Sequence, residues 1–158
     1  MIIARPKGPE IILTVNKLTM IYQQVVNELI KIALTQHNVR SAGYGDIYNF
    51  MNTTPNIKYN VFYVTPAQMQ SEEEFDRITL NLFHISRLEN LEGDNILQLH
   101  SISKEVLDNV VKIFCEEFDT DTYGTTYYQM FNQRFQDLCC GCYMTVTLLI
   151  PKSLCIDE

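Results

Sequence analysis

Apolar positions along this chain recur at two different periods. Leu18, Tyr22, Val25, Leu29 and Ile32 fall at i, i+4, i+7, i+11 and i+14, with Ile21 and Ala33 beside them, which is one face of a long helix. Asn16 is a candidate cap and His37-Asn38 a candidate end, so the spacing predicts a helix over 14–36. Leu107, Val110, Val111, Phe114 and Phe118 repeat the pattern and predict a second helix over 103–118, entered at Ser101 or Ser103 after a loop at 89–95 that holds Gly93 and Asp94. Elsewhere the period is two. Tyr59, Val61 and Tyr63 alternate with Asn60, Phe62 and Val64 until Pro66, predicting a strand over 58–65 that the proline ends. Ile78, Leu80 and Leu82 oppose Thr79, Asn81 and Phe83 in a strand over 77–87, joined to the first by an acidic turn or short helix at 68–76. Alternation of aromatic and polar residues over 126–135, and of Cys142, Met144, Val146, Leu148 and Ile150 with Tyr143, Thr145 and Thr147 over 142–150, gives two more strands around a turn at 119–126.

The predicted fold is therefore α+β, a mainly antiparallel four-stranded sheet with two helices packed on one face, in the order α-β-β-α-β-β. Residues 1–13, broken by Pro6, Gly8 and Pro9, read as an N-terminal arm, residues 14–152 as a single domain and 153–158 as a C-terminal tail. Residues 35–56 form a loop longer than usual around an aromatic island of Tyr44, Tyr48 and Phe50, with a short helix over 46–51 as the alternative.

Composition narrows the function. Twelve Lys and Arg against 19 Asp and Glu leave a net charge of −7, the wrong sign for a protein whose main task is to neutralise phosphates. Arg5, Lys7 and the prolines interrupt the apolar start, so no export signal is expected, and no apolar run is long enough to predict a membrane-spanning helix. Five cysteines in a chain of 158 residues fit reduced thiols better than a disulfide framework.

Chemistry-bearing residues do not assemble into a motif. Cys139 and Cys142 have the spacing of one half of a zinc site, but no second pair exists, and in a strand Cys139 faces away from Cys140 and Cys142. The expectation is small apolar residues opening a buried strand. His37, His84 and His100 lie in no catalytic signature, and His84, flanked by apolar residues, reads as a paired core histidine. Glu72, Glu73, Glu74 and Asp76 form a candidate acidic loop without the alternation a calcium site needs. No catalytic, metal or cofactor-binding residue is predicted. The candidate contacts with other subunits are apolar and aromatic instead: Ile2, Ile3, Tyr44, Tyr48 and Phe50, since tyrosine suits interfaces.

The string GDIYNFMNTTPNIKYNVFYVTP, the paired strands with RITLNLFHISRL, the helix LQLHSISKEVLDNVVKIF and the closing RFQDLCCGCYMTVTLLIPKSLC, in which Asp137, Leu138, Gly141, Leu148, Ile150 and Pro151 stand out, resemble tail-completion and tail-terminator proteins of tailed bacteriophages. The likeness is nearest to small ring proteins of Bacteroides phages, including the crAss-like group, and covers about residues 14–152. It implies a tail-terminator-like fold in a structural virion protein: a homo-oligomeric ring, hexamer or dodecamer, between portal and tail. Its neighbours would be portal, ring/adaptor or tail proteins, and the genome would pass through its lumen without specific binding. The competing classes are a small cytoplasmic α+β enzyme or ligand-binding domain using a Cys/His pair, and an adaptor for host proteins.

Overall fold

In a computed structural model, residues 20–132, 135 and 137–152 are described. The predicted arm with Ile2 and Ile3, the cap at Asn16, Leu18 and the tail at 153–158 lie outside the described residues.

Helix α1 (Tyr22–Leu34) is shorter than the predicted 14–36: Met20 and Ile21 precede it, and Ile21, expected beside the apolar stripe, is exposed, while Val25, Leu29, Ile32 and Ala33 of that stripe are buried together with Val26. Its N-cap is Ile21, whose N–H donates to Gln24 Oε1 at 2.9 Å, and Thr35 closes it before His37. Strand β1 (Ser41–Tyr44) and helix α2 (Ile47–Thr53) then occupy the stretch predicted as a loop, the helix in nearly the place of the short-helix alternative. Strands β2 (Val61–Ser71) and β3 (Phe75–Arg87) form a hairpin, and helix α3 (Gly93–Glu117) follows. Strands β4 (Asp121–Thr122), β5 (Tyr127–Asn132) and β6 (Cys139–Pro151) complete the chain.

The architecture is α+β, but among the described residues the sheet has six strands rather than four and the helices number three, not two on one face. Its order is β1-β2-β3-β6-β4, with β5 also paired to β6. β1 lies parallel to β2 and every other pair is antiparallel. α1 and α3 pack on one face against Phe62, Val64, Ile78, Leu80, Leu82, Met144, Val146 and Leu148. On the opposite face α2 sends Ile47 and Met51 onto a second cluster with Val61, Tyr63, Phe83, Ile85, Phe131 and Phe135.

Further expectations are corrected. Pro66 does not end β2: the register shifts between Pro66 and Gln68, and pairing with β3 resumes through Ser71, so the turn or short helix expected at 68–76 shrinks to a turn at 72–74. Proline is tolerated because β1 stops opposite Val64, so Pro66 sits where β2 has become an edge. α3 starts at Gly93, not near Ser101: Ile96, Leu99 and Ile102 are half-buried and extend its apolar side back from Val106, while the exposed Gly93, Asp94 and Leu97 gave the segment the look of a loop. The 119–126 turn contains β4, fixed by pairing with Leu148 and Leu149. β6 begins at Cys139, three residues earlier than predicted.

Gly141 has a local physical reason. A Cβ there would fall well inside contact distance of the His84 carbonyl oxygen, because β3 and β6 approach closely at the pair Ile85 and Gly141. Among the described residues no helix is long and apolar enough to cross a membrane.

Candidate functional site

The aromatic island is split by the fold into three unlike positions. Gly45, at φ +142°, turns the chain out of β1. Asp46 then caps α2, its carboxylate accepting from the N–H groups of Tyr48 at 2.9 Å and Asn49 at 3.2 Å. Phe50 folds inward and stacks on Tyr63 at 4.6 Å between centroids, so it belongs to the second-face cluster instead of standing free. Tyr44 remains exposed and bonds through its hydroxyl to Tyr22 at 2.9 Å, joining β1 to the start of α1. Tyr48 is 46% exposed and leans on Phe135 at 5.5 Å.

Between Tyr48 and the sheet lies an open cleft of about 480 Å³ lined by Asp46, Thr65, Pro66, Asn81, Phe83 and Tyr143 among others. Its floor is the stacked pair Phe83 and Tyr143, 4.8 Å apart. Beside it the face turns polar: Thr145 donates to Asn81 Oδ1 at 2.7 Å and the Thr79 and Thr147 hydroxyls meet at 2.8 Å. Thr65 Oγ1 is buried there without a hydrogen-bond partner. The cleft offers aromatic surface, hydroxyl and amide groups, and the Asp46 carboxylate that is engaged as the cap of α2.

The acidic residues do not converge. Glu72, Glu73 and Glu74 are exposed at the β2–β3 turn, and Glu72 pairs with Arg77 Nε at 2.8 Å, whose guanidinium lies 4.0 Å from the Tyr123 ring centre. Asp76 sits apart on β3, partly buried, with Lys152 Nζ 4.0 Å away. Among the described residues no three His, Cys, Asp or Glu side chains converge to hold a metal.

The Cys/His alternative meets a definite geometry. Cys142 lies opposite His84 in the register of β3 and β6, so the topology does bring such a pair together. Both are fully buried, and both imidazole nitrogens are taken. Nε2–H donates to the Asn38 carbonyl at 2.8 Å, which leaves Nδ1 to accept from the Ser103 hydroxyl at 2.7 Å. Burial lowers the His84 pKa, while burial pushes the Cys142 thiol up to about 11. Each partner is thus driven to its neutral form, the reverse of an activated thiolate and imidazolium. Cys140 is likewise raised to about 11 and Cys139 to about 12 by burial. The three serve as small core residues, and His84 as the paired core histidine its neighbours announced, tying β3 to α3 and to the α1–β1 turn.

A second surface is one the sequence leaves open, since Tyr127, Phe131 and Phe135 read equally as interface residues or as filling of a sheet face; Phe131 and Phe135 are buried and Tyr127 is exposed. Strand β5 exposes Tyr127, Tyr128 and Met130 beside Leu97 of α3, itself 68% exposed. A groove of about 440 Å³ runs between them along His100, Lys104 and Asp108. Lys104 bonds Asp108 at 2.7 Å and covers the Tyr128 ring, whose hydroxyl donates to the same Asp108. His100 Nε2–H donates to the Phe131 carbonyl at 2.9 Å. The available signal was the uncharged string Tyr127-Tyr128-Gln129-Met130 following a helix whose early leucine lies off the apolar stripe.

No protein-family profile matches this chain, and no curated protein is significantly similar to it.

Proposed function

We propose that this chain is a structural virion protein of a tailed bacteriophage, a homo-oligomeric ring component of the portal, neck or tail assembly that acts in tail completion or head–tail joining. The resemblance of its strings to tail-completion and tail-terminator proteins motivates the reading. The observation that carries it on physical grounds is that two unlike apolar surfaces lie at opposite edges of one sheet. On the β2 side stand Ile21, Tyr44 and Met69, and on the β5 side Leu97, Tyr127, Tyr128 and Met130, all exposed. Exposed apolar patches of this kind mark interaction surfaces. Two different patches on opposite sides suit a head-to-tail contact, which closes into a ring when the rotation allows.

The charge balance fits the same role. A lumen through which DNA slides should repel phosphate, and a net charge of −7 supplies repulsion where a basic surface would bind. Its neighbours in the particle would be portal, adaptor or tail proteins meeting the ring's faces. Mass photometry and electron microscopy of the purified full-length protein test the reading. A closed ring of fixed copy number is the expected species, and a monomer at every concentration up to the solubility limit overturns it.

A further inference from the structure

Resting on the ring reading, we propose that neighbouring copies join through one continuous sheet: the outer edge of β5 in one copy pairs antiparallel with residues 68–71 of β2 in the next, and Met69 of that stretch enters the groove between β5 and α3.

The edge of β5 is open. Among the described residues its one strand partner is β6. Tyr123 N–H donates to the Thr147 carbonyl at 2.8 Å, so the odd-numbered residues of β6 turn their backbone groups towards β4 and β5. Tyr127, Gln129 and Phe131, opposite Thr145, Tyr143 and Gly141, therefore turn theirs towards β6. Tyr128, Met130 and Asn132 turn N–H and C=O outward, and among the described residues no backbone group bonds to them there.

The far side of the sheet carries the matching edge. β1 covers β2 only from Val61 to Val64. Beyond the register shift the β2–β3 hairpin closes with Glu72 N–H on the Phe75 carbonyl at 2.8 Å, so Gln68 and Gln70 turn towards β3 while Met69 and Ser71 turn outward. Sheet edges are normally guarded by charges, yet neither Gln68–Ser71 nor Tyr127–Asn132 carries one.

The two edges fit each other. β2 and β5 run in opposite directions within the sheet, so a copy added with its strands in the same sense presents β2 antiparallel to β5. Met69 lies opposite Ile78 and Met130 opposite Cys142, which puts both methionines on the face covered by α1 and α3. Pairing Met69 with Met130 and Ser71 with Tyr128 thus brings outward backbone groups together and keeps that face on one side. Met69, 54% exposed, then meets the groove that Leu97 and Met130 line, apolar against apolar. β5 stops at Asn132, short of Val64, where β1 of the receiving copy takes over the edge.

Charge points to a second copy as the occupant. Chains of net charge −7 repel each other except where the contact is free of charge, and these two edges are such places. In the groove itself Lys104 and Asp108 neutralise each other at 2.7 Å. Because the edges lie at opposite ends of one sheet, the contact is head-to-tail and repeats from copy to copy, as a ring requires.

Full-length chains on a Cys115→Ala, Cys155→Ser background, carrying Met69→Cys under one mass tag or Met130→Cys under another, are co-expressed and oxidised with copper–phenanthroline. Directly opposed residues of such a pair stand about 5.5 Å apart between Cα atoms, within disulfide reach. A linked product with one chain of each tag is expected, and Glu116→Cys in place of Met69→Cys should give none. A link between two Met130→Cys chains instead would show β5 pairing with itself about a two-fold axis and overturn the proposal. So would the absence of a mixed link in particles that mass photometry counts as rings, an outcome that leaves the ring reading standing. Mixed links in chains that never close into rings uphold the strand contact and overturn the ring, and unlinked monomers overturn both.

Discussion

The two faces of the sheet are built for different ends. The face under α1 and α3 is aliphatic and continuous, from Val25 and Leu29 through Leu80 and Leu82 to Val146 and Leu148. The opposite face is divided: aromatic beneath α2, where Phe50, Tyr63, Phe83 and Tyr143 stack, and polar where Thr79, Asn81, Thr145 and Thr147 bond one another. The first face excludes water and supplies stability. The second leaves aromatic rings and an open cleft at the surface, where they are available for contact. Stability and assembly should therefore respond to different substitutions.

The largest effects belong to the aliphatic face. Phe114→Ala should cost ~3–5 kcal/mol and Leu29→Ala ~2–5, from lost transfer energy plus a cavity, against a total stability of ~5–15. Urea unfolding measures both, and a loss below ~1 kcal/mol at either would mean that the two-helix layer is not the stabilising one. Gly141→Ala comes next, at about 1–3 kcal/mol or more of overpacking, because the obstacle is the His84 backbone and not a flexible side chain.

His84 gives a pH signature. Its folded pKa is lowered by burial, so the unfolded chain binds the proton more readily, and stability is fully present above the unfolded value of ~6.5. As pH falls below that value towards the lower folded pKa, stability is lost. Urea midpoints between pH 7.5 and 5 should therefore drop more in the native protein than in His84→Gln, and equal slopes would refute the assignment.

The smallest effects on stability separate the faces most sharply. Phe50→Ser should cost ~1–2 kcal/mol, since its ring is partly buried on Tyr63. Tyr48→Ser should stay within ~0.5 kcal/mol yet reduce assembly, read as ring yield at fixed concentration. If Tyr48→Ser instead unfolded the protein, the division between stabilising and contact surfaces would fail.

What was legible in the sequence follows from which face a residue serves. Ile78, Leu80, Leu82 and the even positions from Cys142 to Ile150 face one buried layer, so their period is clean and the strands could be read. β1 was not legible because a four-residue strand, Ser41–Tyr44, shows no alternation of its own and exists through parallel pairing to β2. The early turns of α3 were hidden for a related reason: Leu97 is exposed, and Ser101 and Ser103, which resemble caps, lie inside the helix, where Ser103 instead serves His84. The candidate contacts were legible only in part. Tyr44 and Tyr48 are exposed, Phe50 turned inward once Asp46 capped α2, and the β5 aromatics stayed undecided because Tyr127 and Phe131 look the same in sequence whether a strand is central or at an edge.

The central claim is that copies of this chain encircle the path of the genome. Cryo-electron microscopy of virions assembled with it, with its density located and its copies counted about the portal axis, tests that most directly. The account predicts a closed ring on the axis, six-fold or twelve-fold, with a channel wide enough for duplex DNA. Density off the axis, or particles that contain no copy of the chain, would contradict it.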